Sequence, residues 1–163
     1  MGGAIMSAIG EVVYRVIGPE HAGEVLTVQR AAFVAEARVY GTAEIPPLVE
    51  TLDQVRHELV TTLTMGAWLG SRLVGAARLT PDGPIGWISR VAVAPDQQGQ
   101  GIGSSLLAAL ETAASPEIRR FQLAAGHRSS GNRAMYERRG YREFSRFVDA
   151  AGVELVVMGK DRY

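Results

Sequence analysis

The segment APDQQGQGIGSSLL, from Ala94 to Leu107, places three glycines between an apolar run and a segment with helical spacing of leucines. A glycine inside regular structure costs roughly 0.5–1 kcal/mol relative to alanine, so this cluster indicates a close approach of the backbone to another group. A strand, a loop and a helix in this order leave the first N–H groups of the helix without partners, at the positive end of its dipole. The segment therefore predicts an anion site built from backbone amides.

Two known glycine loops match this segment only in part. A phosphate-binding P-loop has a lysine and a hydroxyl after its last glycine, but Ser104 and Ser105 follow Gly103 directly. A dinucleotide-binding loop has G-x-G-x-x-G directly after its strand, whereas this chain has G-x-G-x-G, separated from the strand by PDQQ. The P-loop is excluded, and the dinucleotide-binding loop stays open as a poorer match.

Length and composition limit what can surround the loop. A chain of 163 residues, 47% hydrophobic and 21% charged, suffices for one domain with a sizeable core. The 17 basic and 17 acidic residues balance, so no overall charge attracts nucleic acid or an anionic membrane. Cysteine is absent and the three histidines lack metal-ligand spacing. We expect a single cytoplasmic domain over 1–163, with residues 1–10 as a poorly ordered extension and with no metal, nucleic-acid or membrane partner.

Apolar periodicity and turn residues predict the order of the secondary-structure elements. The predicted strands are 11–17, 65–69, 72–79, 87–94, 121–125, 144–148 and 153–158, with a turn over 81–86. The predicted helices are 20–40, 51–62, 102–114 and 129–140, and the Pro46-Pro47 pair is expected to break the chain between the first two. Hairpins combined with helical crossovers predict a mixed sheet with helices on both faces.

The segment VAVAPDQQGQGIG resembles the acetyl-CoA loop of the GNAT acyltransferase superfamily, whose motif Q/R-x-x-G-x-G/A is met by Gln98, Gly101 and Gly103. The order of elements matches that superfamily over most of the chain. The resemblance implies an α/β (α+β) fold with a GNAT-like, mostly antiparallel central sheet of about seven strands. It also implies binding of acetyl-CoA, without a metal, by Val91, Ala92, Val93, Gln98, Gly99, Gln100, Gly101, Ile102, Gly103, Ser104 and Asn132.

A second segment, GNRAMYERRGY over 131–141, resembles the other cofactor segment of the superfamily. There an asparagine and a tyrosine face the pantetheine arm and the thioester sulfur, and the matching residues here are Asn132 and Tyr136. Residues four apart share one face of a helix. A phenol titrates near 10 and a thiol near 8.5, so the resemblance makes Tyr136 the general acid for the departing thiolate. Taken alone, a helix-start asparagine and a core tyrosine are the alternative interpretation.

The acceptor side of the predicted site has fewer signals. Many members of the superfamily carry an acidic residue on the strand before the loop, but Ser89 and Arg90 occupy these positions here, which favours deprotonation through a water chain. Glu36 and Tyr40 share a face of the first helix beside Pro46-Pro47, where acceptors often enter in the superfamily. Glu36, Tyr40 and Ser89 are therefore candidate acceptor residues, with a solvated helix glutamate as the alternative for Glu36.

The predicted function is transfer of an acetyl group from acetyl-CoA to a primary amine of a small molecule or peptide, by direct attack on the thioester. A noncatalytic acyl-CoA sensor with the same fold is the alternative, and the tyrosine at position 136 favours the enzyme. Late strands often form dimers in the superfamily, so VELVVMGK, over 153–160, is predicted either to pair in a homodimer or to be an interior strand.

Overall fold

The computed structural model describes residues 11–163, so the predicted extension over 1–10 lies outside the described residues. The strands are β1 (Val12–Ile17), β2 (Leu63–Leu69), β3 (Arg72–Asp82), β4 (Ile85–Val93), β5 (Arg120–Gly126), β6 (Arg142–Val148) and β7 (Glu154–Asp161). The helices are α1 (Ala22–Tyr40), α2 (Pro46–Val49), α3 (Leu52–Thr61), α4 (Ile102–Ala113) and α5 (Ser130–Arg138), with 3₁₀ turns at Pro19–His21 and Pro95–Gln97.

The strands form one seven-stranded sheet within the described residues, in the order β1-β2-β3-β4-β5-β7-β6. Only β4 and β5 run parallel, and every other neighbouring pair is antiparallel. The helices α1 and α3 pack on one face, where Val25 and Val55 are buried against Trp68. The helices α4 and α5 pack on the other, where Leu106 and Tyr136 join the larger core. The predicted mixed, mostly antiparallel sheet covered on both faces is confirmed.

Several predicted boundaries are wrong by a few residues. Pro81 and Gly86 pair with each other across β3 and β4, so the predicted turn over 81–86 shrinks to the two residues between these strands. The Pro46-Pro47 pair begins the short helix α2, because proline fits the first turn of a helix, where no N–H is needed. The strand β2 starts at Leu63, two residues before the predicted start at position 65.

The strand β7 lies between β5 and β6, so of the two predictions for VELVVMGK the interior strand is the one observed. The last strand of the sheet formed by residues 11–163 on this side is β6. Large apolar side chains are exposed on it, with Phe144 at 51% and Val148 at 64%. Any pairing between two copies through this side of the sheet therefore involves β6.

The parallel strands β4 and β5 pair only over their first halves. Their ladder ends where Ile88 pairs with Leu123, after which β4 continues along β3 and β5 continues along β7. The register between β3 and β4 shifts near Ala77, and Arg90 on the opposite strand has a positive φ of 54°. Such a bulge bends a strand and increases its twist. The strands β4 and β5 are no longer paired at this point, and their divergence opens a gap in the middle of the sheet.

Candidate active site

Two cavities meet at the gap between β4 and β5. The strand cavity, of ≈ 390 Å³, lies between α1, α2 and the diverging ends of β4 and β5. The loop cavity, of ≈ 730 Å³, extends along the glycine loop, α1 and the start of α5. The residues that line both cavities, and so mark where they meet, are Phe33, Glu36, Val91, Asn132 and Tyr136.

The glycine loop ends at the start of α4. Gly101 is the residue before this helix, and it has φ 83° and ψ 9°, a left-handed conformation that side chains disfavour. The first helical hydrogen bond runs from the Ser105 N–H to the Gly101 carbonyl, at 3.0 Å. Among residues 11–163, no side chain caps this helix. The amides of Ile102, Gly103 and Ser104 therefore lie beside the loop cavity without helical partners, as an anion site requires.

Two side-chain contacts hold the glycine loop against the sheet. Gln98 Nε2 donates a hydrogen bond of 3.0 Å to the carbonyl of Val93, the last residue of β4. Arg72, the first residue of β3, donates two hydrogen bonds of 2.7 and 2.8 Å to the carboxylate of Asp96. The hydrogen bonds from Arg72 hold the pKa of Asp96 well below its usual range. The loop thus keeps an ion pair with β3 over the neutral pH range.

The helix α5 presents Asn132 and Tyr136 one turn apart at the junction of the cavities. Asn132 is exposed, whereas Tyr136 is buried and contacts Tyr141 edge-on, with ring centroids 6.2 Å apart. Burial, together with the negative charge of Glu36, raises the pKa of Tyr136 far above its usual value. Its phenol is therefore protonated at neutral pH.

The predicted acceptor residues on α1 are tied to the segment between β5 and α5. Ser129 Oγ donates a hydrogen bond of 2.6 Å to Glu36 Oε1. The Tyr40 hydroxyl accepts one of 2.9 Å from the Arg128 N–H. A Cβ at position 126 would overlap this hydroxyl, so a larger residue there would require the Tyr40 side chain to move. Glu36 and Tyr40 both line the strand cavity, and Glu36 is half-buried, unlike a freely solvated helix glutamate.

A buried polar network lies under the strand cavity. Glu50 accepts hydrogen bonds from Arg78 at 3.0 and 3.2 Å and from Gln29 at 2.9 Å. Arg90 Nε reaches Glu50 Oε1 at 3.5 Å. Burial opposes ionisation of Glu50, but the hydrogen bonds from Arg78 and Gln29 and the charges of Arg78 and Arg90 outweigh it and lower its pKa. Ser89 and Arg90 both line the cavity above this network.

Most of the residues predicted from the sequence lie around the two cavities, and two do not. Ala92 is buried in the core on the α1 side, and Gln100 is exposed at the loop. Sequence reasoning missed Arg128 and Arg138, which line the loop cavity and bring positive charge to it. The signal available for Arg128 was its place directly before the SSGN segment, and Arg138 follows Tyr136 by two residues.

Residues 11–163 contain no group of three or more His, Cys, Asp or Glu side chains placed to hold a metal ion. No helix within the same residues is long and apolar enough to cross a membrane.

Comparison with known proteins agrees with this geometry. The family model of the acetyltransferase (GNAT) domain matches residues 33–162. The chain therefore belongs to the GNAT acetyltransferase family, and acyl transfer is the chemistry of its class. The resemblance stated from the glycine loop and the Asn132 segment is confirmed. A comparison with curated protein sequences finds no match.

Solved structures share the fold over nearly the whole chain. A GNAT-family acetyltransferase from Streptococcus pneumoniae is 20% identical, with a TM-score of 0.75 over 94% of this chain and 100% of that one. A PaiA N-acetyltransferase from Thermoplasma acidophilum, solved in complex with coenzyme A, is 18% identical, with a TM-score of 0.76 over 93% and 99%. An IAA acetyltransferase from Bacillus cereus is 23% identical, with a TM-score of 0.69 over 93% and 100%.

Proposed function

We propose that this protein, as a single N-acetyltransferase domain, transfers an acetyl group from acetyl-CoA to a primary amine of a small molecule or peptide. The observation that carries the proposal is the junction at Tyr136, where a cavity bordered by uncapped helix amides meets a second, separate cavity. In this proposal the loop cavity holds the acetyl-CoA and the strand cavity holds the amine. The similar fold of a protein solved with coenzyme A supports it.

The lining of the loop cavity fits the chemistry of coenzyme A. The diphosphate needs several hydrogen-bond donors in a place that bulky side chains do not block. The space beside Gly99 and Gly101 is open, because a Cβ added at either position would meet nothing within 4 Å among the described residues. We assign the diphosphate to the amides of Ile102, Gly103 and Ser104, with added charge from Arg128 and Arg138. The gap beside β4 gives the amide groups of the pantetheine arm a strand edge to pair with, at Val91 and Val93.

Each chemical step has a candidate residue at the junction. The neutral amine attacks the thioester carbonyl, a C–N bond forms, and the C–S bond breaks as the thiolate leaves. Tyr136 donates its proton to this thiolate, and burial keeps the phenol protonated until then. A backbone N–H of β4 near Val91 polarises the carbonyl oxygen, in the manner of an oxyanion hole. Glu36, half-buried and next to both cavities, accepts the proton of the amine directly or through water.

Thiol release separates the proposed enzyme from an acyl-CoA sensor of the same fold. Purified protein is mixed with acetyl-CoA and a panel of primary amines, and free thiol and the acetylated amine are measured together. Release of one thiol for each acetylated amine supports the enzyme. Calorimetric binding of coenzyme A without acetylation of any amine supports the sensor, and absence of binding contradicts both functions.

We also propose that the protein forms a homodimer through the outer edge of β6. The exposed side chains of Phe144, Phe147 and Val148 give this edge apolar groups, beside the exposed charges of Arg142, Glu143 and Arg146. Two such edges related by a two-fold axis would bury these side chains and pair the strands. Sedimentation velocity gives the mass directly, and a monomer at micromolar concentration would contradict the dimer.

A further inference from the structure

The strand cavity is mostly apolar and is small. Its walls include Phe33, Ile45, Pro47, Trp87, Leu123 and Phe147. A polyamine or an aminoglycoside would lose water from several charged or polar groups there without gaining enough partners, which is costly. A volume of ≈ 390 Å³ suits a small molecule with an apolar body.

Charged groups in this cavity differ in position and in what already binds them. Glu36 lies where the two cavities meet, beside the place proposed for the thioester. Asp149 is committed to its own turn, because its Oδ1 accepts the N–H groups of Ala151 and Val153. Arg90 lines the strand cavity only. An acceptor whose amine lies at Glu36 therefore extends towards Arg90.

Most N–H donors of the Arg90 guanidinium have no partner among residues 11–163. Its Nε is 3.5 Å from Glu50 Oε1, at the outer limit of a hydrogen bond. Among residues 11–163, the two Nη atoms of Arg90 make no hydrogen bond or ion pair. The side chain is 25% exposed, and Arg90 lines the strand cavity. Burial lowers the pKa of Arg90, but a guanidinium stays charged at physiological pH.

Arg90 has no carboxylate to itself among residues 11–163. Arg78 and Arg90 face one carboxylate, that of Glu50, and both of its oxygens already accept hydrogen bonds from Arg78. Glu58 on α3 acts on Arg90 through its charge, but it forms no ion pair with Arg90 within the described chain. A partly buried cation with an incomplete partner binds an anion well, because water screens it poorly.

The backbone at this position adds an independent observation. Arg90 has φ 54° and is the one residue other than glycine with a positive φ among residues 11–163. Left-handed conformations of this kind cost about 1–3 kcal/mol and cluster at ligand sites. The bulge places a guanidinium in the cavity at a position where many members of the superfamily carry an acid.

We propose that Arg90 binds a carboxylate of the acceptor, so that the acceptor is a small amino acid with an apolar or aromatic side chain. The amine lies at Glu36, the carboxylate pairs with the Nη atoms of Arg90, and the apolar walls contact the side chain. Two parallel hydrogen bonds from a guanidinium to a carboxylate give this pairing its specificity. This inference rests on the proposed acetyl transfer.

Matched acceptor pairs test the inference on the unaltered protein. Phenylalanine, tryptophan, leucine and methionine are each compared with the amine that remains when the carboxylate is removed: phenethylamine, tryptamine, isoamylamine and 3-(methylthio)propylamine. We expect kcat/KM for at least one amino acid to exceed that of its matched amine by about tenfold or more, the usual weight of a charged hydrogen-bonded pair. Equal or faster acetylation of every amine without the carboxylate would overturn the inference.

The variant Arg90→Gln separates binding from a structural role, with Arg90→Lys as the matched control that keeps the charge. We expect Arg90→Gln to raise KM for the amino acid by about tenfold more than KM for the matched amine. Arg90→Lys should retain part of the preference, since it keeps the charge without the two-bond geometry. Equal loss with both acceptors would assign Arg90 to structural support only and overturn the inference.

Calorimetry distinguishes failure of this inference from failure of the proposed function. The same amino acids are titrated into the protein saturated with coenzyme A, with and without Arg90→Gln. Binding that depends on Arg90 supports the carboxylate site even where no acetylation occurs, a result that would contradict the proposed enzyme alone. The carboxylate site is overturned if the amino acids show no binding that depends on Arg90 and no higher kcat/KM than the matched amines. That result would leave the proposed acetylation of other amines intact.

Discussion

The Ser129 hydroxyl donates a hydrogen bond to Glu36, with 2.6 Å between Ser129 Oγ and Glu36 Oε1. This hydrogen bond joins α1 to the residue that precedes α5. The helix α5 carries Asn132 and Tyr136, so the position of the candidate acid depends on the helix that carries the candidate base. Within the described chain, Glu36 Oε1 has this partner and Oε2 has none. Oε2 is therefore the oxygen available for an incoming ammonium group.

Glu36→Gln tests the role of this carboxylate as a base. Glutamine has an oxygen that can still accept the hydrogen bond from Ser129, but it cannot take a proton from an amine. We expect kcat to fall by about 10²-fold or more, the usual contribution of general base catalysis, while the Kd of coenzyme A is unchanged. Ser129→Ala is the control, and it should have a smaller effect on kcat. Wild-type kcat in Glu36→Gln would exclude Glu36 as the base.

Tyr136→Phe removes the proposed proton donor and keeps the ring that packs on Tyr141. We expect kcat to fall by about 10²-fold or more, with little change in the Kd of coenzyme A, because the hydroxyl acts on the leaving thiolate. Burial raises the pKa of Tyr136, so its protonated, active form persists above the ordinary phenol value of about 10. Activity in the wild type should therefore not decline through loss of this proton at about pH 10, where half of an ordinary phenol would be ionised, as a pH–rate profile would reveal.

Gly101→Ala tests the left-handed turn at the start of α4. A Cβ there would meet no neighbour within 4 Å among the described residues, so any effect arises from the backbone conformation at φ 83°. We expect a loss of about 1–2 kcal/mol in the free energy of unfolding and weaker binding of coenzyme A. Gly101→Asn is the matched control, since asparagine tolerates this conformation better. An equal free energy of unfolding for Gly101→Ala and the wild type would contradict the conformational argument.

Gly126→Ala tests the close approach of Tyr40 to β5. The added Cβ would overlap the Tyr40 hydroxyl, so we expect a loss of about 1–3 kcal/mol in the free energy of unfolding, as for other overpacked sites. Tyr40→Phe removes that hydroxyl and should make the same glycine substitution less costly. Urea denaturation of the four proteins forms a double-mutant cycle, and an additive result would contradict the contact.

The network around Glu50 predicts a dependence of stability on pH. Its pKa is lowered in the folded protein, so it binds fewer protons there than in the unfolded chain, where the value is about 4.3. Its contribution is therefore complete above that value and is lost as the pH falls through the folded pKa. Glu50→Gln should be less stable at pH 7 and should lose less stability between pH 7 and pH 3.5. A parallel decline of both proteins in urea denaturation would contradict this.

The parts of the site that follow local rules were predictable from the sequence. The glycines before α4 and the four-residue spacing of Asn132 and Tyr136 depend only on helix geometry, which a linear pattern contains. The network of Gln29, Glu50 and Arg78 was not predictable, because its members are 21 to 49 residues apart in the chain. The packing of α1 and the residue after α2 against β3 brings them together. The bulge at Arg90 is likewise a property of strand pairing, so the cavity above it had no local signal.

The divergence of β4 and β5 has a consequence beyond catalysis. In the proposed complex, the pantetheine arm of the acyl donor lies in that opening and pairs with the edge of β4, so the ligand takes the place of a neighbouring strand. A ligand of the native state alone raises stability by mass action, so scarcity of the donor should leave the molecule easier to digest. Limited proteolysis with and without coenzyme A measures this, and identical digestion rates would contradict it. The concentration of the acyl donor would then affect the lifetime of the folded protein as well as its rate of turnover.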